Sequence, residues 1–383
     1  MKITDNDISK ALQDQVKQAI NNKQALSIFA GNSKRFFGNN FFDNSDEKDD
    51  KSADAIPLDL SNHTGVINYE PTELCITVHS GTKLSELENL LAENNQILAF
   101  EPPHYSVNNQ DTATIGGAIA SGISGPRRAY TGSARDSILG VEIINGHGEI
   151  ARFGGEVMKN VAGYDLSRMM LRSLGTLGVL LNVSIRVIPK PEHNMTLVFD
   201  ASQSEALAYF QSLRKKLLPV TATAWFDGKA SIRLSASAQV LQSCQDKVKG
   251  DVISDTNIAN KFWQDIRDHS HDFFSNDKPL WRFSLPPSTP EALSLDGEQL
   301  IEWSSAQRWI HSLTPANIIR DIAKSHKGYA TLFNSKPCTN QSNLSDADVF
   351  PELAPELFAL HKRLKDQMDP HGIFNPNRIY RGL

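Results

Sequence analysis

A glycine-rich stretch restricts the possible folds of this chain more than any other segment. It reads Thr114-Ile-Gly-Gly-Ala-Ile-Ala-Ser-Gly122 and is followed by Gly125-Pro-Arg-Arg128 and Gly132-Ser-Ala-Arg-Asp136. Backbone with so few side chains can approach a ligand closely and can direct several N–H groups at one anion. The stretch therefore predicts a bound nucleotide whose pyrophosphate contacts the backbone. Neither Gly-x-Gly-x-x-Gly nor Gly-x-x-x-x-Gly-Lys-Ser/Thr occurs in the chain, which excludes the two common nucleotide motifs.

Size and composition restrict the class of protein. The chain has 383 residues, 40% of them hydrophobic. Two or three compact domains are expected, because single cores stop growing at about 250 to 300 residues. A formal net charge of −5 argues against general affinity for nucleic acid or anionic lipid. The chain has no apolar signal core and no run near the roughly 18 apolar residues of a membrane span, which predicts a soluble, cytoplasmic protein.

Cysteine and histidine usage argues against a metal centre. Cys75, Cys244 and Cys338 are far apart and odd in number, so neither a disulfide framework nor a cysteine-based zinc or iron–sulfur site is expected. If electrons pass from this chain to a cluster, another subunit must hold the cluster. The close pair His269 and His271 lies in the polar context Asp-His-Ser-His-Asp, which favours a solvated helix end over a metal site.

Hydrophobic periodicity predicts the main elements of the first half. It indicates a helix over 8–20 and a buried strand over Leu26-Ser-Ile-Phe-Ala30. A helix over 84–94 is predicted to begin with the capping box Ser85-x-x-Glu88. Another helix is predicted near Asp165 to Ser173, with Asp165 suited to its N-cap.

The order of elements in the second half predicts a separate domain. The paired prolines of Pro189-Lys-Pro191 mark a boundary, and a β-α-β-β-α run over 195–248 is typical of an α+β domain with helices on one face. The expected domains are 1–190 with a solvated acidic insert at 43–54, then 191–335, then a C-terminal helix and tail over 336–383.

Three shorter segments are further candidates for ligand contact. Gly31-Asn-Ser-Lys34 follows a strand and could present N–H groups, hydroxyls and a charge to phosphate, or could be a simple turn. Glu101-Pro-Pro-His-Tyr105 supplies a titratable and an aromatic group after a strand. Gly175-Thr-Leu-Gly-Val179 could bring bare backbone to an adenine or ribose, or could simply end a helix against a strand.

Taken together, these segments resemble the FAD-binding domain of the vanillyl-alcohol oxidase type, also called the PCMH-type fold. The most specific match is the sixteen-residue run from Phe153 to Arg168, supported by the terminal Asp369-Pro-x-Gly-Ile-Phe-Asn-Pro376. Nearly the whole chain resembles the FAD-binding subunits of glycolate oxidases. The resemblance implies an α+β fold: a PCMH-type domain of two α+β subdomains, a smaller ferredoxin-like cap domain, and a C-terminal segment that returns to the FAD domain.

The resemblance also implies site residues. The residues expected to bind FAD are Gly31, Asn32, Ser33, Lys34, Pro103, His104, Thr114, Ile115, Gly116, Gly117, Ser121, Gly122, Gly132, Ser133, Asp136, Gly175, Gly178, Val179 and Asn375. Because Pro376 follows Asn375, the chain is expected to be extended there. Substrate oxidation needs a base and a carboxylate clamp, for which His104 and the pair Arg127 and Arg128 are candidates. The arginines could instead serve the pyrophosphate, surface ion pairs or a partner subunit.

Two departures from related flavoproteins qualify the resemblance. Relatives that link FAD covalently place His or Cys at the pyrophosphate turns, whereas this chain has Asn32 and Ser33 at the first turn and no His or Cys between Thr112 and Gly140. FAD is therefore expected to bind non-covalently. Related D-2-hydroxy-acid dehydrogenases carry a His-x-Gly-Asp-Gly-Asn-x-His type segment for metal and acid/base chemistry, and this chain has none.

Three functions are consistent with these residues. The chain is expected to be the FAD-bearing subunit of a multi-subunit glycolate or similar 2-hydroxy acid oxidase. It would act beside a second FAD-type catalytic subunit and pass electrons toward an iron–sulfur subunit, with membrane association only through these partners. The alternatives are a self-sufficient flavin oxidoreductase of the same fold and an assembly scaffold that retains the fold. The missing His-rich segment argues against the former, and the intact glycine-rich loops argue against the latter.

Overall fold

The chain forms two compact units. The computed structural model describes residues 3–39, 55–155, 165–289, 293, 295, 297–333 and 348–383. The first unit comprises Met1–Ile123, Ser133–Pro189 and Glu352–Leu383, and the second comprises Ser124–Gly132 and Lys190–Pro351. The acidic insert predicted at 43–54, most of the Phe153 to Arg168 run and Cys338 lie outside the described residues.

The helices and strands of the described residues are named in chain order. The helices are α1 (Ser9–Asn22), α2 (Leu84–Glu93), α3 (Ile115–Ser121), α4 (Arg128–Thr131), α5 (Ala134–Ser137), α6 (Gln203–Leu213), α7 (Ala238–Gln245), α8 (Thr256–Arg267), α9 (Ala316–Ser325) and α10 (Pro355–Met368). The strands are β1 (Leu26–Phe29), β2 (Ile56–Asp59), β3 (Val66–Glu70), β4 (Cys75–His79), β5 (Gln96–Ile97), β6 (Ile138–Ile144), β7 (Ile150–Gly154), β8 (Val179–Arg186), β9 (Ile188–Pro189), β10 (His193–Asp200), β11 (Val220–Phe226), β12 (Lys229–Ala236), β13 (Asp251–Val252), β14 (Leu280–Ser284), β15 (Gln299–Glu302), β16 (Gln307–His311) and β17 (Tyr329–Leu332).

The first unit is built on an antiparallel sheet with the strand order β3-β4-β8-β6-β7. Its main core packs α2 and α3 against the sheet, and every residue of β4 is buried. A second core lies between α1, the parallel pair β1–β2 and the C-terminal segment, where Ile373 and Phe374 are buried. Helix α1 contributes Leu12, Val16 and Ala19, which helical spacing places on one face. The predicted return of the C-terminal tail to this unit is therefore observed.

The second unit contains an antiparallel sheet of eight strands in the order β13-β10-β12-β11-β15-β16-β14-β17. The first four strands have the 4-1-3-2 order of a ferredoxin-like unit, as the β-α-β-β-α run indicates. The last four strands have the same order read in reverse, 2-3-1-4, and the two sets of four join where β11 pairs with β15. The second repeat was not predicted, since its strands are short and its connection over 285–298 carries no clear periodicity.

Several local predictions for the first half are wrong for reasons that lie in tertiary contacts. The helix expected near Asp165 to Ser173 is only a 3₁₀ turn, Ser167–Met169. Beyond it, the amides of Arg172 and Leu174 donate to carbonyls of α3 instead of continuing a helix. Helix α2 begins at Leu84, because the Leu84 amide donates to the Ala113 carbonyl and so sets the entry of the chain. The Ser85 capping box does not form.

The prediction of a solvated helix end around His269 is also wrong. His269 is buried and stacks on Phe274, with ring centroids 3.9 Å apart and an interplanar angle of 3°. Trp309 and Phe333 enclose the same ring. The segment is part of an aromatic core, which the polar residues around it in the sequence conceal.

Candidate functional site

A cavity of about 1020 Å³ lies within the first unit. Its walls are the end of β1 with the turn that follows, helix α3, the segment from Met170 to Leu180, and two residues of the C-terminal tail. Sequence segments separated by more than 300 residues therefore meet at one site.

The turn over 31–34 provides free backbone donors to this cavity. Asn32 adopts a left-handed conformation with φ of 53°, and the amides of Gly31, Asn32 and Ser33 have no acceptor in the described part of the chain. Successive N–H groups around a left-handed residue form a concave site for an anion. The Lys34 side chain is largely buried, with its Nζ 3.4 Å from Ser33 Oγ. This turn has the donors and the charge that a pyrophosphate requires.

The glycine-rich helix α3 plays a different part from the one its sequence indicates. The Gly116 amide donates to Ser80 O at 2.8 Å, and the Gly117 amide donates to Thr114 Oγ1 at 3.2 Å. The Ile115 amide donates to Thr82 O at 3.0 Å. The first turn of α3 therefore has no N–H group left for an anion, contrary to the expectation for this stretch.

The two glycines of this helix have different surroundings. A Cβ on Gly116 would lie 2.6 Å from Ser80 Cβ, so a side chain there would push α3 away from the turn after β4. A Cβ on Gly117 would meet only Thr114 Oγ1 at 3.3 Å, because this residue faces the cavity. The helix thus forms a bare wall along which a flat ligand can lie.

The C-terminal tail contributes Asn375 to the wall of the cavity, and the side chain of this residue is held by hydrogen bonds. Asn375 Oδ1 accepts from the Ile28 amide at 2.8 Å, and its Nδ2 donates to Leu174 O at 2.7 Å. The backbone of Asn375 has φ of 38°, so the extended conformation expected before Pro376 is wrong. Asparagine tolerates the left-handed region better than most residues, which explains its use here. Asn375 therefore joins β1 to the turn over 173–175.

Asn375→Asp is expected to lower the free energy of unfolding by about 1–3 kcal/mol. The substitution preserves the shape and the acceptor for Ile28, but it places a carboxylate oxygen against the Leu174 carbonyl. Thermal unfolding of the full chain measures the effect. Asn257→Asp changes the charge equally at an exposed position of α8 and should leave the unfolding temperature nearly unchanged. Equal effects of the two substitutions would contradict the assigned role of Asn375.

Two arginines of the cavity were missed in the sequence. Arg35 and Arg378 both line it. The buried guanidinium of Arg378 donates to the carbonyls of Asn39 at 2.7 Å and Phe37 at 3.2 Å, and also to the carbonyl of Arg35. Burial and the nearby charge of Arg35 lower the pKa of Arg378 to about 10, so it remains charged at neutral pH. Arg378 lies two residues beyond the motif that ends at Pro376, and its positive charge is the signal that the sequence offers.

The structure brings together eleven of the nineteen residues expected to bind FAD. Those that line the cavity are Gly31, Asn32, Ser33, Lys34, Thr114, Gly116, Gly117, Ser121, Gly175, Gly178 and Asn375. Those that do not line it are Pro103, His104, Ile115, Gly122, Gly132, Ser133, Asp136 and Val179. Further lining residues that sequence reasoning missed are mostly apolar or small: Ser27, Ile28, Phe29, Ala30, Leu60, Ser80, Ala120, Met170, Ser173, Leu174 and Leu180.

Residues outside the cavity have structural partners. His104 Nε2 lies 3.1 Å from Glu88 Oε2, and Ser133 with Asp136 forms the capping box of α5. Ile115, Gly122 and Val179 lie next in sequence to lining residues, and Ile115 and Val179 belong to the core clusters. In the segment with Pro103, the ring of Tyr105 lies 5.6 Å from Lys34 Nζ.

The two arginines proposed as a carboxylate clamp belong to the second unit. Residues 124–132, which the sequence assigned to the first domain with the rest of 1–190, are part of that unit. Trp303 Nε1 donates to Gly125 O at 3.1 Å, and the Arg128 guanidinium lies 4.5 Å from the centroid of the Trp303 ring. Arg127 is buried. Gly132, expected to bind FAD, also belongs to this unit.

The cavity fits FAD in its chemistry. An anion site with free N–H groups lies at the 31–34 turn, and Lys34, Arg35 and Arg378 offset negative charge. The bare wall of α3 and the small residues at Gly175 and Gly178 leave room for flat rings. The described lining residues include no His or Cys, so none supplies the usual side chain for a covalent link.

Comparisons with known proteins agree with this cofactor. Residues 9–154 match the family model described as "FAD binding domain". The chain is 41% identical over 377 residues to the glycolate oxidase subunit GlcE of Escherichia coli (strain K12), which covers 98% of this chain and 99% of the relative. It is 34% identical over 158 residues to the glycolate oxidase subunit GlcD of Bacillus subtilis (strain 168), which covers 41% of this chain and 33% of that one.

Among solved structures, an alkyldihydroxyacetonephosphate synthase has a similar fold. The TM-score is 0.66 at 13% sequence identity, with 96% of this chain and 74% of that chain covered. This likeness supports the fold alone, and the nearly full-length match to GlcE supports the family. The expectations of an α+β PCMH-type fold and of FAD as cofactor are thereby confirmed. The chain belongs to the family of the glycolate oxidase subunit GlcE, and is an FAD-dependent oxidoreductase with a PCMH-type FAD-binding domain.

Proposed function

We propose that this chain is the FAD-bearing subunit of a multi-subunit glycolate oxidase that passes electrons from the oxidation of glycolate to glyoxylate toward an iron–sulfur subunit. A second, GlcD-like flavin subunit would act beside it. The observation that carries the proposal is the cavity, whose anion site and bare helix wall are built for a dinucleotide, in a chain that matches GlcE over nearly its full length.

The chain's own residues would bind and orient the cofactor. When bound, FAD supplies a two-electron acceptor, and the protein supplies position, charge and exclusion of water. The amides of Gly31, Asn32 and Ser33 would hold the pyrophosphate, with Lys34 and Arg378 offsetting its charge. Helix α3 and Asn375 would form the walls that keep water from the bound rings.

The proposed dependence on partner subunits rests on the similarity to two glycolate oxidase subunits and on what this sequence lacks. The chain is similar to GlcD over 41% of its own length and 33% of the length of GlcD. The sequence has no His-rich segment for acid/base chemistry and no cysteine cluster for iron and sulfur. Oxidation of substrate at this flavin and onward electron transfer would therefore depend on groups supplied by partner subunits. No described helix has the length and apolar character needed to cross a bilayer.

Catalytic assignments remain predictions. His104 is the candidate base and belongs to the first unit, while Arg127 and Arg128 are candidate carboxylate ligands in the second unit. His104 has a carboxylate neighbour in Glu88, which could orient its ring and keep a proton on Nε2. Substitution of His104 by Gln in the assembled complex should lower kcat for glycolate if this role is correct, without loss of flavin.

Spectroscopy of the purified chain tests the proposal. Non-covalent FAD should be present in the isolated chain and should be released by acid or denaturant. On anaerobic addition of glycolate, the flavin should stay oxidised until the GlcD-like and iron–sulfur subunits are added. Bleaching by glycolate without partners would instead establish a self-sufficient oxidoreductase. A colourless chain that assembles with its partners and takes up no added FAD would contradict the proposal.

A further inference from the structure

Two buried histidines lie close together in the first unit, and none of their atoms lines the FAD cavity. His63 follows β2 and His79 ends β4, with exposed fractions of 0% and 3%. The centroids of their rings are 4.1 Å apart. Asp5 and Asp7, which precede α1, approach the same rings from the protein surface. This group does not belong to any motif that the sequence resemblance explains.

The distances in this group place electron-rich atoms against one another. His79 Nε2 lies 3.2 Å from Asp5 Oδ1, and His63 Nδ1 lies 3.7 Å from Asp7 Oδ1. One ligand atom each from Asp7, His63 and His79 lies within 4.8 Å of the other two. Metal bonds of about 2.0–2.2 Å in tetrahedral geometry separate neighbouring ligand atoms by roughly 3.3 Å. An ion bound to all three atoms would therefore draw the widest pair together by up to about 1.5 Å.

Hydrogen bonds indicate which ring nitrogen of each histidine carries the proton. Asn182 Oδ1 lies 2.6 Å from His79 Nδ1, which places the proton of a neutral ring on Nδ1 and leaves a lone pair on Nε2. That lone pair then faces the Asp5 carboxylate. His63 Nδ1 accepts from the Ile8 amide at 3.3 Å and therefore carries no proton, and a metal ion at this atom would take the place of that long bond. The contact between His79 Nε2 and Asp5 Oδ1 is unfavourable unless a proton or a metal ion lies between the two atoms.

The surroundings favour neutral imidazoles, the form in which histidine binds a metal. Both rings are buried, and burial disfavours the charged form of an imidazole. The Nε2 atom of His63 is fully buried. The bond from His79 Nδ1 to Asn182 has the geometry of the outer partners that orient metal-binding histidines. The hydrogen-bond partner of His79 and the burial of both rings thus agree with neutral imidazoles.

We propose that His63, His79 and Asp7 bind a divalent transition-metal ion of the zinc type, with Asp5 or water as the fourth ligand. Two imidazoles and a carboxylate are a donor set that suits Zn²⁺. The site joins the segment before α1 to the turns that follow β2 and β4. Ser80, next to His79, lines the FAD cavity and accepts from the Gly116 amide, so the ion would stiffen the support of α3.

Calorimetric titration of the metal-free full chain with Zn²⁺ tests this site. The chain is first dialysed against a chelator, and one equivalent of Zn²⁺ is expected to bind. His79→Gln and His63→Gln should each weaken binding about tenfold or more, by loss of a ligand. His147→Gln, a substitution at an exposed histidine, should bind Zn²⁺ as the unsubstituted chain does.

A substitution at the exposed residue Asp7 separates loss of metal binding from loss of folding. Asp7 is more than half exposed and its carboxylate accepts from the Ser9 amide, a bond that asparagine can also form. Asp7→Asn should therefore keep the unfolding temperature of the metal-free chain but weaken Zn²⁺ binding about tenfold or more. Absence of stoichiometric binding by the unsubstituted chain would overturn the proposal. Unchanged affinity in Asp7→Asn and His79→Gln would overturn it too, as would an NMR titration showing that His79 is protonated against Asp5 while Zn²⁺ is present.

Discussion

Lys365→Met is expected to lower the free energy of unfolding by about 3–5 kcal/mol, the cost of removing one member of a buried ion pair. Lys365 Nζ lies 2.7 Å from Asp369 Oδ2, and the two side chains are 7% and 0% exposed. The same amine donates to the carbonyls of Thr176 and Phe374. Burial lowers the pKa of the amine, and the Asp369 carboxylate opposes this shift. Without the lysine, Asp369 would remain as a buried charge.

The same helix provides a matched control. Lys362 and Asp366 have the same i, i+4 spacing at 2.9 Å, but their side chains are 52% and 57% exposed. Lys362→Met should therefore cost less than about 1 kcal/mol. Urea unfolding followed by circular dichroism would compare the two variants. Equal unfolding midpoints for both would show that the buried pair does not hold the tail.

A loss of FAD should accompany this loss of stability. The Asp369 carboxylate accepts from the amides of Ile373 and Phe374 and so shapes the turn that leads to Asn375. Asn375 and the segment around Thr176 form one wall of the cavity or lie beside it. We therefore expect Lys365→Met to retain less flavin than Lys362→Met after gel filtration, measured as flavin absorbance per chain.

Gly31→Ala is expected to weaken FAD binding by about 100-fold, or roughly 2.7 kcal/mol. A Cβ at this position would lie 1.5 Å from the carbonyl oxygen of Thr112 and 2.6 Å from its carbon. The backbone of Thr112 cannot rotate away as a side chain could, so the 31–34 turn must move. Its free amides would then no longer point toward one anion. Flavin fluorescence on titration of the FAD-free chain would measure the affinity.

Gly117→Ala is the control for this substitution. Gly117 lines the same cavity, but its added methyl group would meet only Thr114 Oγ1 at 3.3 Å. In a helix, this change is expected to stabilise the FAD-free chain by up to about 1 kcal/mol. Its effect on FAD affinity should stay within about tenfold, because only the methyl group intrudes. If Gly31→Ala kept its affinity while Gly117→Ala lost it, the anion site would lie at α3 after all.

Periodicity and local chemistry correctly predicted much of the fold. The helix over 8–20, the strand at Leu26 and the β-α-β-β-α run of the second unit are all present, because each rests on apolar spacing within one segment. The predictions that failed depend on contacts with distant segments. The helix near Asp165 stops because α3 accepts its following amides, and His269 is buried because Trp309 and Phe333 lie over it.

The candidate site also has features that the sequence predicts and features that only the fold decides. The glycines, the Lys34 turn and the Asn375 motif could be found in the sequence, because a close approach of backbone requires particular residue types. Which of these segments offers free amides could not be found there. Ser80 and Thr82, more than 30 residues before α3, occupy the amides of Gly116 and Ile115, whereas nothing described occupies those of Asn32 and Ser33. Hydrogen-bond partners come from whichever segments the fold brings near, so the cofactor is evident in the chain and the position of its anion site only in the folded unit.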